Sequence, residues 1–155
     1  MIVVSDTTAV TTLLKAGMEG LLQELFGNVI IPQAVWDELH AFHPQLPDFV
    51  LLRAVARAEG RLPQTSLLGH GEAEAITLAK EVNADLLLTD DLKARHVAAG
   101  LNVKCTGLLG LLIRAKQRGH NSSVREAIGT LETRGGLYLS DAVKAEAVRL
   151  AGDPP

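Results

Sequence analysis

Apolar runs of strand length alternate along this chain with segments whose apolar residues recur at helical spacing. Ile2-Val3-Val4, Val29-Ile30-Ile31 and Leu86-Leu87-Leu88 show no polar alternation, the pattern of strands covered on both faces. With Leu101 to Cys105 they predict strands at residues 2–5, 28–31, 85–89 and 101–105. Between the first two lies a helical stretch from Thr8 to about Phe26, interrupted near Gly17 and stopped by Gly27. Pro32 opens the next helix, at a position that needs no amide hydrogen. His43-Pro44-Gln45-Leu46-Pro47 breaks that pattern, and Asp48 to Glu59 resumes it up to Gly60. A loop from Pro63 to Gly71 leads into a helix from Glu72 to Val82. Strands alternating with helices predict an α/β fold: three layers, α/β/α, around a mainly parallel sheet.

The last third changes character. Gly107 to Arg118 and Ser122 to Arg134 read as amphipathic helices, the second opened by a serine N-cap with a glutamate in its first turn and closed by Gly135-Gly136. A short Leu137-Tyr138-Leu139 strand, a cap at Ser140 and a helix to Leu150 complete the chain, with Pro154-Pro155 frayed. The expected organisation is a core over residues 1–106 and a helical extension over 107–152 packed on it.

Composition narrows the function classes. A chain of 155 residues with 47% hydrophobic content suffices for one core. One cysteine, Cys105, excludes an intrachain disulfide framework and a cysteine-based zinc cluster. No apolar stretch of about 18 residues and no cleavable leader is visible, so the chain reads as cytoplasmic and not membrane-inserted. A formal net charge of −3 argues against a sequence-independent duplex coat protein. It leaves room for a nuclease, in which acids gather at a metal site and basic residues act locally.

The acids carry the chemistry. Asp6 follows the first strand, Glu38 lies in the helix after the second, Glu72 opens a later helix, and Asp90-Asp91 follow Leu86-Leu87-Leu88-Thr89. In a parallel α/β sheet these points share the edge formed by strand C-termini, where sites are built. Carboxylates about 5 Å apart repel by about 3 kcal/mol per pair at an effective dielectric of about 20, which a divalent cation or raised pKa values would relieve. Helical phase puts Val35, Leu39 and Phe42 on one face, with Glu38 half-buried at its border and Asp37 turned away. In the later helix it puts Glu72 on the buried side and Glu74 toward solvent. Asp90 and Asp91 are not separable in this way. His40 and His43 stand at i, i+3, yet no further histidine or cysteine completes a zinc site. Asp6-Thr7-Thr8 lacks the second acid of an aspartyl-nucleophile phosphatase, and the acid order is the reverse of a receiver domain.

Val3-Val4-Ser5-Asp6-Thr7-Thr8, Ile30-Ile31-Pro32 with Val35-Trp36-Asp37-Glu38-Leu39, Gly71-Glu72-Ala73-Glu74-Ala75-Ile76 and Leu87-Leu88-Thr89-Asp90-Asp91 resemble, in order, the motifs of PIN-domain proteins. The closing part resembles the helical tail of a prokaryotic subgroup. The resemblance implies a ribonuclease dependent on Mg²⁺ or Mn²⁺ and acting on single-stranded RNA, often the toxin partnered by an antitoxin protein. Its metal and catalytic residues would be Asp6, Glu38, Glu72 and one or both of Asp90 and Asp91, with Thr7, Thr8 and Thr89 as supporting hydroxyls. The third acid of the family is commonly aspartate and is glutamate here, and the Glu72/Glu74 and Asp90/Asp91 doublets leave the alignment open. Lys93 and Arg95, with Lys15 as a weaker candidate, are candidate phosphate contacts, set against the plainer reading of each as part of a solvated helix face. A homodimer is expected from the resemblance and from the apolar load of Leu108, Leu109, Leu111, Leu112 and Ile113. The competing reading is a non-catalytic nucleic-acid or partner-binding module on the same fold.

Overall fold

In the computed structural model, which describes residues 1–121 and 123–153, five short strands form one parallel sheet. They are β1 (Val3–Ser5), β2 (Val29–Ile31), β3 (Val50–Leu52), β4 (Leu86–Leu88) and β5 (Cys105–Thr106), in spatial order β3-β2-β1-β4-β5. Val4 stands opposite Ile30 on one side and Leu87 on the other, and Leu87 opposite Cys105. Eight helices are found among the described residues: α1 (Thr7–Ala16), α2 (Gly20–Phe26), α3 (Gln33–His40), α4 (His70–Glu81), α5 (Leu92–Gly100), α6 (Leu108–Gln117), α7 (Val124–Thr133) and α8 (Asp141–Ala151).

Alternation along each strand divides the core in two. Val4 and Leu87 point to the face covered by α4 and α5, where Ala75, Ile76, Leu78, Ala79, Ala94 and Ala98 are buried. Val3, Leu86 and Leu88 point to the opposite face, into a cluster with Val10 and Leu13 of α1, Val35 and Leu39 of α3, and Leu111, Leu112, Ile128 and Leu131 of α6 and α7. This is the three-layer α/β/α arrangement. The last three helices share that second cluster with α1, so burial joins them to the strands. Asp153 ties their ends together, with Lys116 Nζ 3.1 Å from its carboxylate and the Ser123 hydroxyl and Arg125 N–H donating to it.

Several local expectations are met with shifted ends. The stretch after β1 divides at Gly17, whose φ of +70° makes the left-handed stop, into α1 and α2. Ser123 caps α7 by accepting the Glu126 N–H, and Ser140 caps α8 by accepting that of Val143. Ser122 and Pro154-Pro155 lie outside the described residues.

Three expectations are overturned. Residues 48–59 are not a helix: Val50–Leu52 pair with β2 as the edge strand, and Glu81 of α4 accepts the N–H groups of Ala56 and Arg57 in a loop that follows. Tertiary pairing and a side-chain acceptor there outweigh a local helical pattern. Leu137-Tyr138-Leu139 is no strand, because no strand stands beside it; the Leu137 N–H donates to the Leu131 carbonyl, and Leu137 and Leu139 pack on the core. Phe42 is not on the buried face of α3, which ends at His40, and is 82% exposed.

Candidate active site

With every strand parallel, all strands end at one edge, and each loop from that edge enters a helix pointing away. The N-termini of α1, α5 and α6 and the loop-separated starts of α3 and α4 therefore gather around the end of β1. Helix N-termini present unpaired N–H groups and a partial positive charge, and the acids of this chain answer them.

Asp6 is the centre. It is 2% exposed, its N–H extends the pairing to the Leu88 carbonyl at 3.0 Å, and its Oδ1 accepts the Ala9 N–H at 3.0 Å as the N-cap of α1. Burial lifts its pKa from 3.8 to about 6, against the Ala9 N–H and the Thr89 hydroxyl, which favour the anion; the charges of Glu72 and Asp90 add to the rise. Thr89, itself buried, also accepts the Asp91 N–H at 3.3 Å.

The doublet after β4 divides by role. Asp91 Oδ1 accepts the Ala94 N–H at 2.8 Å as the N-cap of α5. Asp90 Oδ2 accepts the Leu108 N–H at 3.1 Å, capping α6 from a distance, and its charge acts on Asp6. Gly107 makes that approach possible, since a Cβ there would lie 2.0 Å from Asp90 Oδ1 and 3.2 Å from Arg95 Nη1.

The second doublet also divides, though not as helical phase suggests. Glu72 folds back over the start of α4, so a Cβ on Gly69 would meet its Oε2 at 2.8 Å, and its charge reaches Asp6. Glu74 is not directed to solvent: half-buried, it accepts the Ala34 N–H at 3.1 Å and so caps α3 across the α3–α4 contact. Glu38 is exposed rather than half-buried, because Val35 and Leu39 alone define the covered stripe of α3. Its carboxylate accepts the Thr7 hydroxyl and lies against Gly71, where a Cβ would stand 3.0 Å from both oxygens.

The remaining candidates separate by position. Thr8 is exposed on the first turn of α1. Lys93 and Arg95 stand in the first turn of α5, beside Asp90. Lys15 lies in the last turn of α1, at the end pointing away from the site. Arg53, directly after β3, escaped the sequence reading because residues 48–59 read as helix; the Phe49-Val50-Leu51-Leu52 run was the available strand signal.

Among the described residues, no three His, Cys, Asp or Glu side chains are gathered as a finished ligand set for a metal. The donors nevertheless suit a hard divalent cation: they are all carboxylate oxygens, and Asp6 is a desolvated acid whose proton affinity is raised by two acidic neighbours. A groove of about 760 Å³ between α7 and α8, lined by Ile128, Gly129, Ala145 and Val148, shares no residue with this cluster.

A parallel α/β sheet in the order β3-β2-β1-β4-β5, with acids at the strand ends and helix starts, defines the class to which the molecule belongs. A family model described as "PIN domain" matches residues 2–153, and the chain belongs to that family, whose members are typically nucleases. Among solved structures, the chain is similar to a PilT N-terminus domain protein from the hyperthermophilic archaeon Sulfolobus solfataricus P2. The likeness has a TM-score of 0.56 and 22% identity, covering 72% of this chain and 90% of that one, and speaks for the fold alone. No curated protein matches the sequence significantly.

Proposed function

We propose that this PIN domain is a metal-dependent endoribonuclease that hydrolyses phosphodiester bonds of single-stranded RNA. The observation that carries the reading is Asp6: a buried carboxylate, lifted to about pH 6 in its titration, facing the charges of Glu72 and Asp90 at the sheet edge. Asp6, Glu72 and Asp90 would hold Mg²⁺ or Mn²⁺, with Glu38 at the rim beside Thr7. When bound, the cation supplies a charge sink for phosphate oxygens and an acidified water as nucleophile. Thr89 holds the Asp6 carboxylate in orientation, Asp91 caps α5 directly after Asp90, Glu74 ties α4, which carries Glu72, to the start of α3, and Arg95 sets a positive charge next to Asp90. Low aromatic content, 3%, points to backbone recognition rather than base stacking.

A second reading has its own support. Asp6, Asp90, Asp91 and Glu74 all accept helix N–H groups, so a binding module using the acids only as caps would look similar. Calorimetric titration with Mn²⁺ together with cleavage of a labelled single-stranded RNA separates the two. Metal binding and cleavage that are both lost in Asp6→Asn support the enzyme; a folded wild type that binds no metal and cleaves nothing supports the module. A toxin role is part of the proposal, and is tested by whether expression arrests growth in the wild type and not in Asp6→Asn.

A further inference from the structure

The basic residues of the chain sort into two sets. Many are engaged: Arg57 with Glu59, Arg61 with the Ser66 and Leu68 carbonyls, Lys80 with the Leu101 carbonyl, Lys116 with Asp153, Lys144 with Glu132 and Arg149 with Glu146. Six make no ion pair or side-chain hydrogen bond among the described residues, Lys15, Arg53, Lys93, Arg95, Lys104 and Arg134, and of these Arg53, Lys93 and Arg95 stand at the strand-end edge. Arg53 is the new member. It is exposed, and its N–H donates to the Ile31 carbonyl at 2.9 Å, which fixes it beside the end of β2 where Pro32 turns into α3.

Sheet order then decides what these cations flank. Reading along the edge, β3 ends at Arg53, β2 leads to Glu38, β1 ends at Asp6, and β4 leads to Asp90, Lys93 and Arg95. Strands lie about 4.8 Å apart, so Arg53 and the start of α5 are about 14 Å apart with the acids between them. Free cations on both sides of an acidic centre suit a polyanion that crosses the centre and is held on each side of the reacting bond.

Resting on the nuclease reading, we propose that Arg53 is a substrate-phosphate site. In this arrangement a single RNA strand crosses the strand ends from β3 toward β4, with a phosphate on one side held by Arg53 and one on the other by Lys93 and Arg95. Arg53 touches no acid of the cluster, so it acts on binding and leaves the chemical step alone.

Anisotropy of a labelled single-stranded RNA in EDTA, over a salt series, tests this on wild type, Arg53→Ala, Arg53→Lys and a control, Lys104→Ala, at the opposite edge before β5. Arg53→Ala should weaken binding about fivefold and lower the slope of log K against log salt by about 0.7, one single-strand phosphate contact. Arg53→Lys should keep the wild-type slope, Lys104→Ala should change neither quantity, and cleavage by Arg53→Ala should show a raised KM at unchanged kcat. A wild type that binds and cleaves while Arg53→Ala keeps the same slope and KM overturns the Arg53 site alone. A wild type that neither binds nor cleaves RNA overturns the nuclease reading itself.

Discussion

Replacing Asp6 by asparagine separates the electrostatic strain of the site from its structural use. The folded-state pKa of about 6 against 3.8 means that the folded protein holds a proton that the unfolded chain releases between those values. Stability therefore falls as pH rises from about 4 to 6, and above that window the ionised Asp6 carries a penalty of about 3 kcal/mol. Asparagine is as good an N-cap as aspartate, so its amide oxygen can retain the Ala9 bond, while the bond from the Thr89 hydroxyl to a charged acceptor is lost at about 1 kcal/mol. Asp6→Asn should thus stabilise the metal-free protein by about 2 kcal/mol at pH 7.5, or 4 to 8 °C in Tm for a domain of this size. The gain should vanish below about pH 4, where wild-type Asp6 is protonated in both states. Urea unfolding in EDTA at a series of pH values measures both. A variant less stable than wild type at pH 7.5, or a difference that does not change with pH, would refute the reasoning and make Asp6 chiefly a helix cap. Mn²⁺ adds the converse: it should raise the Tm of wild type and leave that of Asp6→Asn nearly unmoved.

The two glutamates of α4 should part company. Glu72→Gln should lower cleavage by about 100-fold, about 2.7 kcal/mol of transition-state stabilisation, with little change in stability. Glu74→Ala should instead lower stability by about 1 to 2 kcal/mol by orphaning the Ala34 N–H, a loss that Glu74→Gln should largely rescue because it keeps an acceptor. Gly107→Ala forces Asp90 to move and should reduce cleavage at least tenfold while far-ultraviolet circular dichroism stays native; unchanged cleavage would remove Asp90 from the site. Sedimentation tests the expected homodimer, whose apolar motive has weakened: Leu108, Leu111 and Leu112 are buried within the chain, and Leu109 and Ile113 pack on the same core. A monomer at micromolar concentration would end that expectation.

By itself the sequence determined the layers and the placement of the acids. Unbroken apolar triplets announced β2 and β4, because a strand covered on both faces favours apolar residues throughout, and Ile2-Val3-Val4 announced β1 one residue early, since that strand runs from Val3 to the buried Ser5. Gly17, Gly27 and Pro32 marked helix ends through backbone preferences that hold wherever the residue stands. With parallel strands assumed, Asp6, Glu38, Glu72 and Asp90 had to approach one edge. Only the tertiary structure decided which carboxylate does what. Helical phase sent Glu74 to solvent, yet the N-terminus of α3 arrives there and takes it as a cap, an event that depends on two helices forty residues apart. Asp90 and Asp91 are indistinguishable locally and differ because α5 captures one and α6 the other. The edge strand β3 was hidden for the same reason: three residues carry little intrinsic preference, and pairing with β2 supplies what the local pattern lacks. Long-range partners set these assignments, and a linear pattern has no record of which partner arrives.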